Sequence, residues 1–158
     1  MKLLSVILPA YNEEKMIEKA RDTIGRILQA QEIVYEIVFI DDGSKDQTWK
    51  EIEKASAKDP HVAGIHFSRN FGKESAMMAG LANAKGDCCV VMDCDLQHPP
   101  ETLVEMYRLW EQGYEVVEGV KHSRGNESLA HKASAGLFYK IISKAVGIDM
   151  SRASDFKL

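Results

Sequence analysis

Short apolar runs alternate with amphipathic stretches along most of this chain. Residues 3–8 are apolar and rich in β-formers, and Pro9 is expected to stop that strand. Met16, Ile17, Ala20, Ile24, Ile27 and Leu28 then recur at helical spacing, with Asn12 as the expected N-cap. Residues 35–40 read as a second strand, apolar except for Glu36, and residues 47–58 as a helix capped by Ser44 or Asp46. Residues 62–67 give a third, weaker strand. Residues 75–84 give a helix of small residues suited to close packing on a sheet. Residues 88–92 form a fourth strand. A helix follows from Pro99–Pro100, with Leu103, Met106, Tyr107 and Trp110 as its stripe and Gln112–Gly113 at its end. Residues 114–120 are expected to form a fifth strand, 121–127 a basic loop and 129–146 a long helix.

Strands alternating with helices predict an α/β domain: a mainly parallel sheet with helices on both faces. Ligands of such sheets sit beyond the carboxyl ends of the strands, near the switch point. The unusual polar clusters all lie at such ends: 11–14, 41–44, 68–74, 93–98 and 121–124.

Bulk properties narrow the picture without deciding it. A chain of 158 residues fits one domain with a real core. A net charge of -4 gives no nucleic-acid signal, so no nucleic-acid partner is expected. The three cysteines, Cys88, Cys89 and Cys94, contain no C-x-x-C pair and predict reduced core thiols in a cytosolic setting. Cys88 and Cys89, being adjacent, should point to opposite faces. Lys2 precedes only a short apolar run, so no signal peptide is read, and no stretch approaches the roughly 20 apolar residues that span a bilayer. Any membrane contact by these residues would be peripheral.

The chemistry centres on Asp93-Cys94-Asp95-Leu96-Gln97-His98. In an extended chain Asp93 and Asp95 would point the same way and converge on one cation. Hard oxygen ligands suit Mg²⁺ or Mn²⁺ rather than zinc. Alone, Asp-x-Asp is equally a solvated strand end. The first strand is followed by Pro-Ala-Tyr-Asn-Glu-Glu, not by G-x-G-x-x-G, a P-loop or another glycine-rich loop. Phosphates would then be held through a cation instead. Tyr11 is placed to lie against a base, and Asp42 or Glu13 to accept hydrogen bonds from a base or ribose. Asp41 reads equally as a helix cap, Arg69 and Lys73 as surface charges, and His98 as a turn residue. Trp49 and Trp110 read as packing residues, and His61, His66, His122 and His131 as structural or exposed.

The series Leu-Pro-Ala-Tyr-Asn-Glu-Glu, Ile-Asp-Asp-Gly-Ser, Ser-Arg-Asn-Phe-Gly-Lys-Glu and Met-Asp-Cys-Asp-Leu-Gln-His-Pro-Pro-Glu resembles the family 2 glycosyltransferases of GT-A fold. The Asp-Leu-Gln-x-Pro-Pro-Glu form, Phe138-Tyr139-Lys140 and Ser154-Asp155-Phe156-Lys157-Leu158 resemble the polyprenyl-phosphate branch, the dolichol-phosphate mannose synthases and bactoprenol glucosyltransferases. The resemblance implies a Rossmann-like nucleotide-diphospho-sugar transferase fold. It implies that Pro9, Tyr11, Glu13, Ile40, Asp42, Asp93 and Cys94 meet the nucleotide. Asp95, Gln97 and Asp93 would hold Mg²⁺ or Mn²⁺. Lys121 stands where the branch usually has an arginine near the diphosphate. Ser154 replaces a common glycine and Lys157 a common arginine. Asp155 would face the acceptor, completing a catalytic set with Asp93 and Asp95, and Arg69, Lys73 and Arg124 would hold an acceptor phosphate.

The implied reaction moves a hexose, with inversion, from a nucleotide sugar (UDP-glucose first) to a polyprenyl phosphate. A polysaccharide hydroxyl acceptor and nucleotide binding without turnover are the alternatives. The ending at Asp155–Leu158 reads as the start of a further element. Residues 1–158 are thus expected to be one GT-A catalytic domain cut short at its carboxyl end, without the acceptor side and any membrane helices. The expected location is cytoplasmic, at the inner face of the membrane, with a homo-oligomer left open.

Overall fold

The computed structural model describes residues 2–97 and 99–119. Four strands and four helices alternate: β1 (Leu3–Ala10), α1 (Ile17–Ala30), β2 (Val34–Asp41), α2 (Thr48–Lys58), β3 (Val62–His66), α3 (Lys73–Asn83), β4 (Cys88–Val91) and α4 (Thr102–Glu111). Every strand pair is parallel, in the order β3-β2-β1-β4. The first two crossovers step outward from β1. The third returns across the sheet to place β4 on the other flank of β1, which makes the gap between β1 and β4 the switch point.

The strand pattern of alternating apolar faces builds two cores. Leu4, Val6 and Leu8 of β1, Ile37 and Phe39 of β2, and Cys88 and Val90 of β4 face α1, α2 and α4. Ile7, Val38, Ile40 and Val91 face the opposite side, where Ala76 of α3 meets them. Each large side chain buried this way contributes roughly 1.5–3 kcal/mol. Cys88 joins the larger core and Cys89 packs against the smaller, on opposite faces as their adjacency required. The small residues of α3 serve close approach: a Cβ on Gly80 would lie 2.4 Å from Ile7 Cγ2. Glu36, the polar exception in β2, accepts the hydroxyl of buried Ser5 at 2.6 Å and Lys85 N–H at 2.6 Å.

Several expectations change in detail. The first strand runs through Pro9 to Ala10. Ala10 O accepts Asp42 N–H on the β2 side, whereas Ile7 O accepts Met92 N–H on the β4 side. Pro9 shares the β4 side with Ile7, and β4 ends at Val91, so its missing N–H breaks no ladder bond. Asn12 does not cap α1. The helix begins at Ile17 without a side-chain cap, and Asn12 lies five residues earlier in the left-handed region at φ 56. The expected fifth strand is not formed by residues 114–119, where only Glu118 is an isolated bridge residue. The N–H of Tyr114 is drawn back to Leu109 O behind Gly113 at φ 103, and Tyr114 and Val116 remain exposed rather than laid on the sheet. Val120, the loop 121–127 and the helix expected over 129–146 lie outside the described residues. No helix among the described residues is long and apolar enough to cross a membrane.

Candidate functional site

The carboxyl ends of β1, β2 and β4 open into one cleft of about 360 Å³. Its walls carry Pro9, Ala10, Tyr11 and Glu13 from β1 and the turn after it, and Asp42 from β2. Asp93, Cys94 and Asp95 follow β4, and Asn70, Gly72, Lys73 and Ala76 come from the start of α3.

Two turns brace each other beneath the cleft. Asn12 N–H donates to Ser44 Oγ (2.9 Å), Glu13 N–H to Thr48 Oγ1 (2.8 Å) and Glu14 N–H to Asp46 Oδ2 (3.2 Å). In return, Lys45 N–H donates to Asn12 Oδ1 and Gln47 N–H to Glu14 Oε2, each at 2.9 Å. The left-handed turn at Asn12 thus presents Tyr11 and Glu13 to the cleft. The N-cap of α2 is Gln47, without a side-chain cap bond, rather than Ser44 or Asp46; Asp46, one residue earlier, accepts Thr48 N–H at 2.9 Å, and Ser44 serves Asn12.

Adjacent Asp41 and Asp42 do different work. Asp41 is fully buried; its carboxylate accepts Ser44 N–H at 3.0 Å and meets His66 Nδ1 at 2.7 Å. It closes the turn rather than facing ligand. Asp42 accepts Phe71 N–H at 2.7 Å and Gly72 N–H at 3.0 Å. It clamps the 68–72 loop over the strand end and still lines the cleft. Gly43 completes the fit: its φ is +67, and a Cβ there would lie 2.2 Å from the Arg69 carbonyl carbon. Gly72, at φ 97, then starts α3 two residues earlier than the composition suggested, which places Lys73 at the cleft wall.

The extended geometry expected from Asp93 to Asp95 does not persist. The chain turns after Met92, Leu96 adopts φ 58, and Asp95 Oδ1 accepts Gln97 N–H at 3.0 Å. Positive φ in a bulky residue is strain held by its surroundings, a feature common at functional sites. Both carboxylates nevertheless reach the same cleft. Asp93 Oδ1 lies 2.7 Å from Lys73 Nζ, with both side chains 37% exposed. Glu13 stands close enough to feel this charge: burial first, then Asp95, Asp46 and Asp93, raise its pKa above the ordinary 4.5. Burial pushes the Cys94 thiol up to about 12, with Glu13, Asp95 and Asp93 adding to the effect, so it is a packing residue and not a thiolate.

Not every expected site residue enters the cleft. Ile40 is fully buried in the smaller core, where its Cδ1 packs toward Gly80. Arg69 stacks on the ring of Phe71 at 4.6 Å instead of lining the cleft. Gln97 is exposed beyond it. Trp49 and Trp110 pack against the larger core. Lys121, Arg124, Asp155 and His98 lie outside the described residues. Asn70, Gly72 and Ala76 line the cleft without having been singled out. The Arg-Asn-Phe-Gly-Lys run marked that loop, but only the Asp42 clamp shows which of its residues turn inward.

Hard carboxylate oxygens from Glu13, Asp93 and Asp95 facing one cleft suit Mg²⁺ or Mn²⁺. Among the described residues no group of three or more His, Cys, Asp or Glu side chains is arranged to hold a metal ion unaided. A cation here would take part of its coordination shell from a ligand.

The family model described as "Glycosyl transferase family 2" matches residues 5–154. The chain belongs to glycosyl transferase family 2. A glycosyltransferase of Bacillus subtilis, YkcC, is 39% identical over 98% of this chain and 48% of its own length. The bactoprenol glucosyl transferase of Shigella phage SfV is 36% identical over 89% of this chain and 46% of its length. The undecaprenyl-phosphate 4-deoxy-4-formamido-L-arabinose transferase of Shewanella sediminis is 36% identical over 94% and 45%. The chain therefore spans a little under half the length of these curated relatives. Among solved structures, the mannosyltransferase PcManGT of Pyrobaculum calidifontis, in complex with GDP-Man and Mn²⁺, superposes with a TM-score of 0.63 at 25% identity, over 75% of this chain and 35% of that one. Glucosyl-3-phosphoglycerate synthase of Mycobacterium tuberculosis shares the fold, with a TM-score of 0.68 at 23% identity over 99% of this chain and 57% of that one. The family 2 chain thus has the α/β GT-A fold that its motifs resemble.

Proposed function

We propose that this chain is the donor-binding part of a divalent-cation-dependent, inverting hexosyltransferase, with a polyprenyl phosphate as acceptor and UDP-glucose as donor. The observation that carries the reading is one cleft at the switch point, holding an aromatic ring, Glu13 and Asp42 on one side and Asp93 and Asp95 on the other. The names of the phage and Shewanella relatives support the acceptor, and the phage relative's name supports glucose. The Mn²⁺ and GDP-Man in the Pyrobaculum structure support the cation.

In this reading Tyr11, 41% exposed at the cleft, lies against the base. Glu13 or Asp42 accepts a base or ribose hydrogen bond, and Asp93 and Asp95 hold the cation. A bound Mg²⁺ or Mn²⁺ would offset the diphosphate charge that develops as the sugar bond breaks. The cleft's lining carboxylates, Glu13, Asp42, Asp93 and Asp95, outnumber the ammonium of Lys73. A diphosphate therefore needs the cation to enter. A lipid phosphate, with a second pKa near ~6, is already largely ionised at neutral pH and needs no strong base. Asp155 is accordingly assigned to positioning the acceptor, with Lys121 and Arg124 toward phosphates. The chain's span of under half its relatives favours a second reading as well, in which this segment binds donor and cation but needs further residues for transfer. Either way the site works at the inner membrane face, against an acceptor that stays in the lipid.

Calorimetry with UDP, GDP and their sugars, with and without Mn²⁺, tests the reading. UDP and UDP-glucose are expected to bind only with the cation, and Asp95→Asn to weaken that binding about tenfold or more. Metal-dependent binding that survives Asp95→Asn would refute the site. Transfer to undecaprenyl phosphate, and not to an oligosaccharide, is expected of a chain carrying the acceptor side.

A further inference from the structure

Lys73 was expected to meet a phosphate, yet its ammonium sits 2.7 Å from Asp93 Oδ1, on a residue assigned to the cation. Both groups line the same cleft. The backbone that carries Lys73 is anchored, since Asp42 holds the N–H groups of Phe71 and Gly72 immediately before it. The ammonium itself rides on a flexible four-carbon stem and can be redirected without moving α3. At 37% exposure on both sides, the pair is weak enough to be exchanged.

We propose that Lys73 is an exchangeable counter-ion of this cleft: it neutralises Asp93 while the donor site is empty, yields Asp93 to the incoming divalent cation, and then turns its ammonium to the donor's diphosphate. The proposal rests on the cation-dependent reading above and adds a residue with two successive partners. The exchange keeps charges matched at each stage. Asp93 is paired by an ammonium before loading. After loading, the cation holds Asp93 and the ammonium faces an anion. It also couples the two ligands, because a phosphate stabilises the ammonium that the cation has displaced from Asp93. Cation and nucleotide should therefore bind with positive cooperativity.

The test is titration of Lys73→Met with Mn²⁺ alone, followed by paramagnetic resonance of the free ion, and then with UDP at saturating Mn²⁺. The two effects are expected to have opposite signs. Mn²⁺ alone should bind about two- to fivefold more tightly to the variant, the range over which a half-exposed ion pair competes. UDP in the presence of Mn²⁺ should bind several-fold more weakly. A residue that merely supports the loop would weaken both, and a distant surface charge would change neither; each result overturns the proposal. The same pair of titrations in an Asp93→Asn background separates direct exchange from a general charge effect. The gain in Mn²⁺ affinity from Lys73→Met should largely vanish there, and its persistence would overturn the exchange. If the wild-type chain binds no Mn²⁺ even with UDP present, the cation-dependent reading falls, and the exchange falls with it. If wild type binds Mn²⁺ and UDP normally but the crossed effects are missing, only the exchange falls.

Discussion

Glu13 carries the clearest signature of the site's charge at the scale of a single residue. Its carboxylate shares a cleft with Asp95 and Asp93, and its pKa is raised by burial first and then by the charges of Asp95, Asp46 and Asp93. A carboxyl that holds its proton more tightly folded than unfolded favours the fold below its ordinary 4.5. That contribution is lost as pH climbs through the raised value. Glu13→Gln carries no charge to repel. The melting temperature of the variant should therefore match wild type near about pH 4 and exceed it increasingly toward about pH 7. Thermal melts across that range check the sign; a variant that loses ground as pH rises would show that Glu13 is stabilised as an anion. Mn²⁺ with UDP should narrow the gap by giving Glu13 a compensating charge nearby.

At the scale of elements, the site depends on how three strand ends are tied together. Asp42 is 4% exposed and spends its two oxygens on Phe71 and Gly72 N–H, so it links the end of β2 to the start of α3. Asp42→Ala strands two donors and should cost about 1–3 kcal/mol per unsatisfied group that water does not reach. Hydrogen exchange should report this locally. The Phe71 and Gly72 amides are expected to lose protection well before the amides of β1, whose ladder to β2 is untouched. Equal protection in variant and wild type would mean that the loop is held by other contacts. A site residue can thus matter through the loop it places as well as through ligand.

At the scale of the whole molecule, α1, α2 and α4 share one face of the sheet, and among the described helices α3 supplies the cover on the other. That smaller core rests on close approach. A Cβ at Gly80 would lie 2.4 Å from Ile7 Cγ2 and 2.9 Å from Ile40 Cδ1, in the middle of the interface. Gly80→Val should lower the unfolding free energy by about 1–3 kcal/mol, read as a lower urea midpoint with an unchanged slope. Because α3 also carries Lys73 into the cleft, the same variant should weaken UDP binding without touching any ligand.

The local pattern of the chain was enough for the alternation of elements, the two apolar faces of each strand and the clustering of polar runs at strand ends. These depend on side-chain periodicity and on turn chemistry, which are written residue by residue. Asp93, Asp95, Glu13 and Tyr11 were legible for that reason. The sequence could not show that Ile40, beside Asp42, belongs to the α3 core, because facing direction is decided by which helix returns over which side of the sheet. Nor could it show that Asn12 braces a second turn instead of capping a helix, since its partner Lys45 is 33 residues away. The tail after Gly113 read as a strand by composition, but residues 114–119 carry only the bridge at Glu118, because the Tyr114 N–H is drawn back to Leu109 O behind Gly113. Tertiary structure alone brought Lys73 to Asp93, through a clamp from Asp42 and a glycine turn. That pairing depends on Asp42 reaching a loop about 30 residues further along the chain, and no local run of residues encodes it.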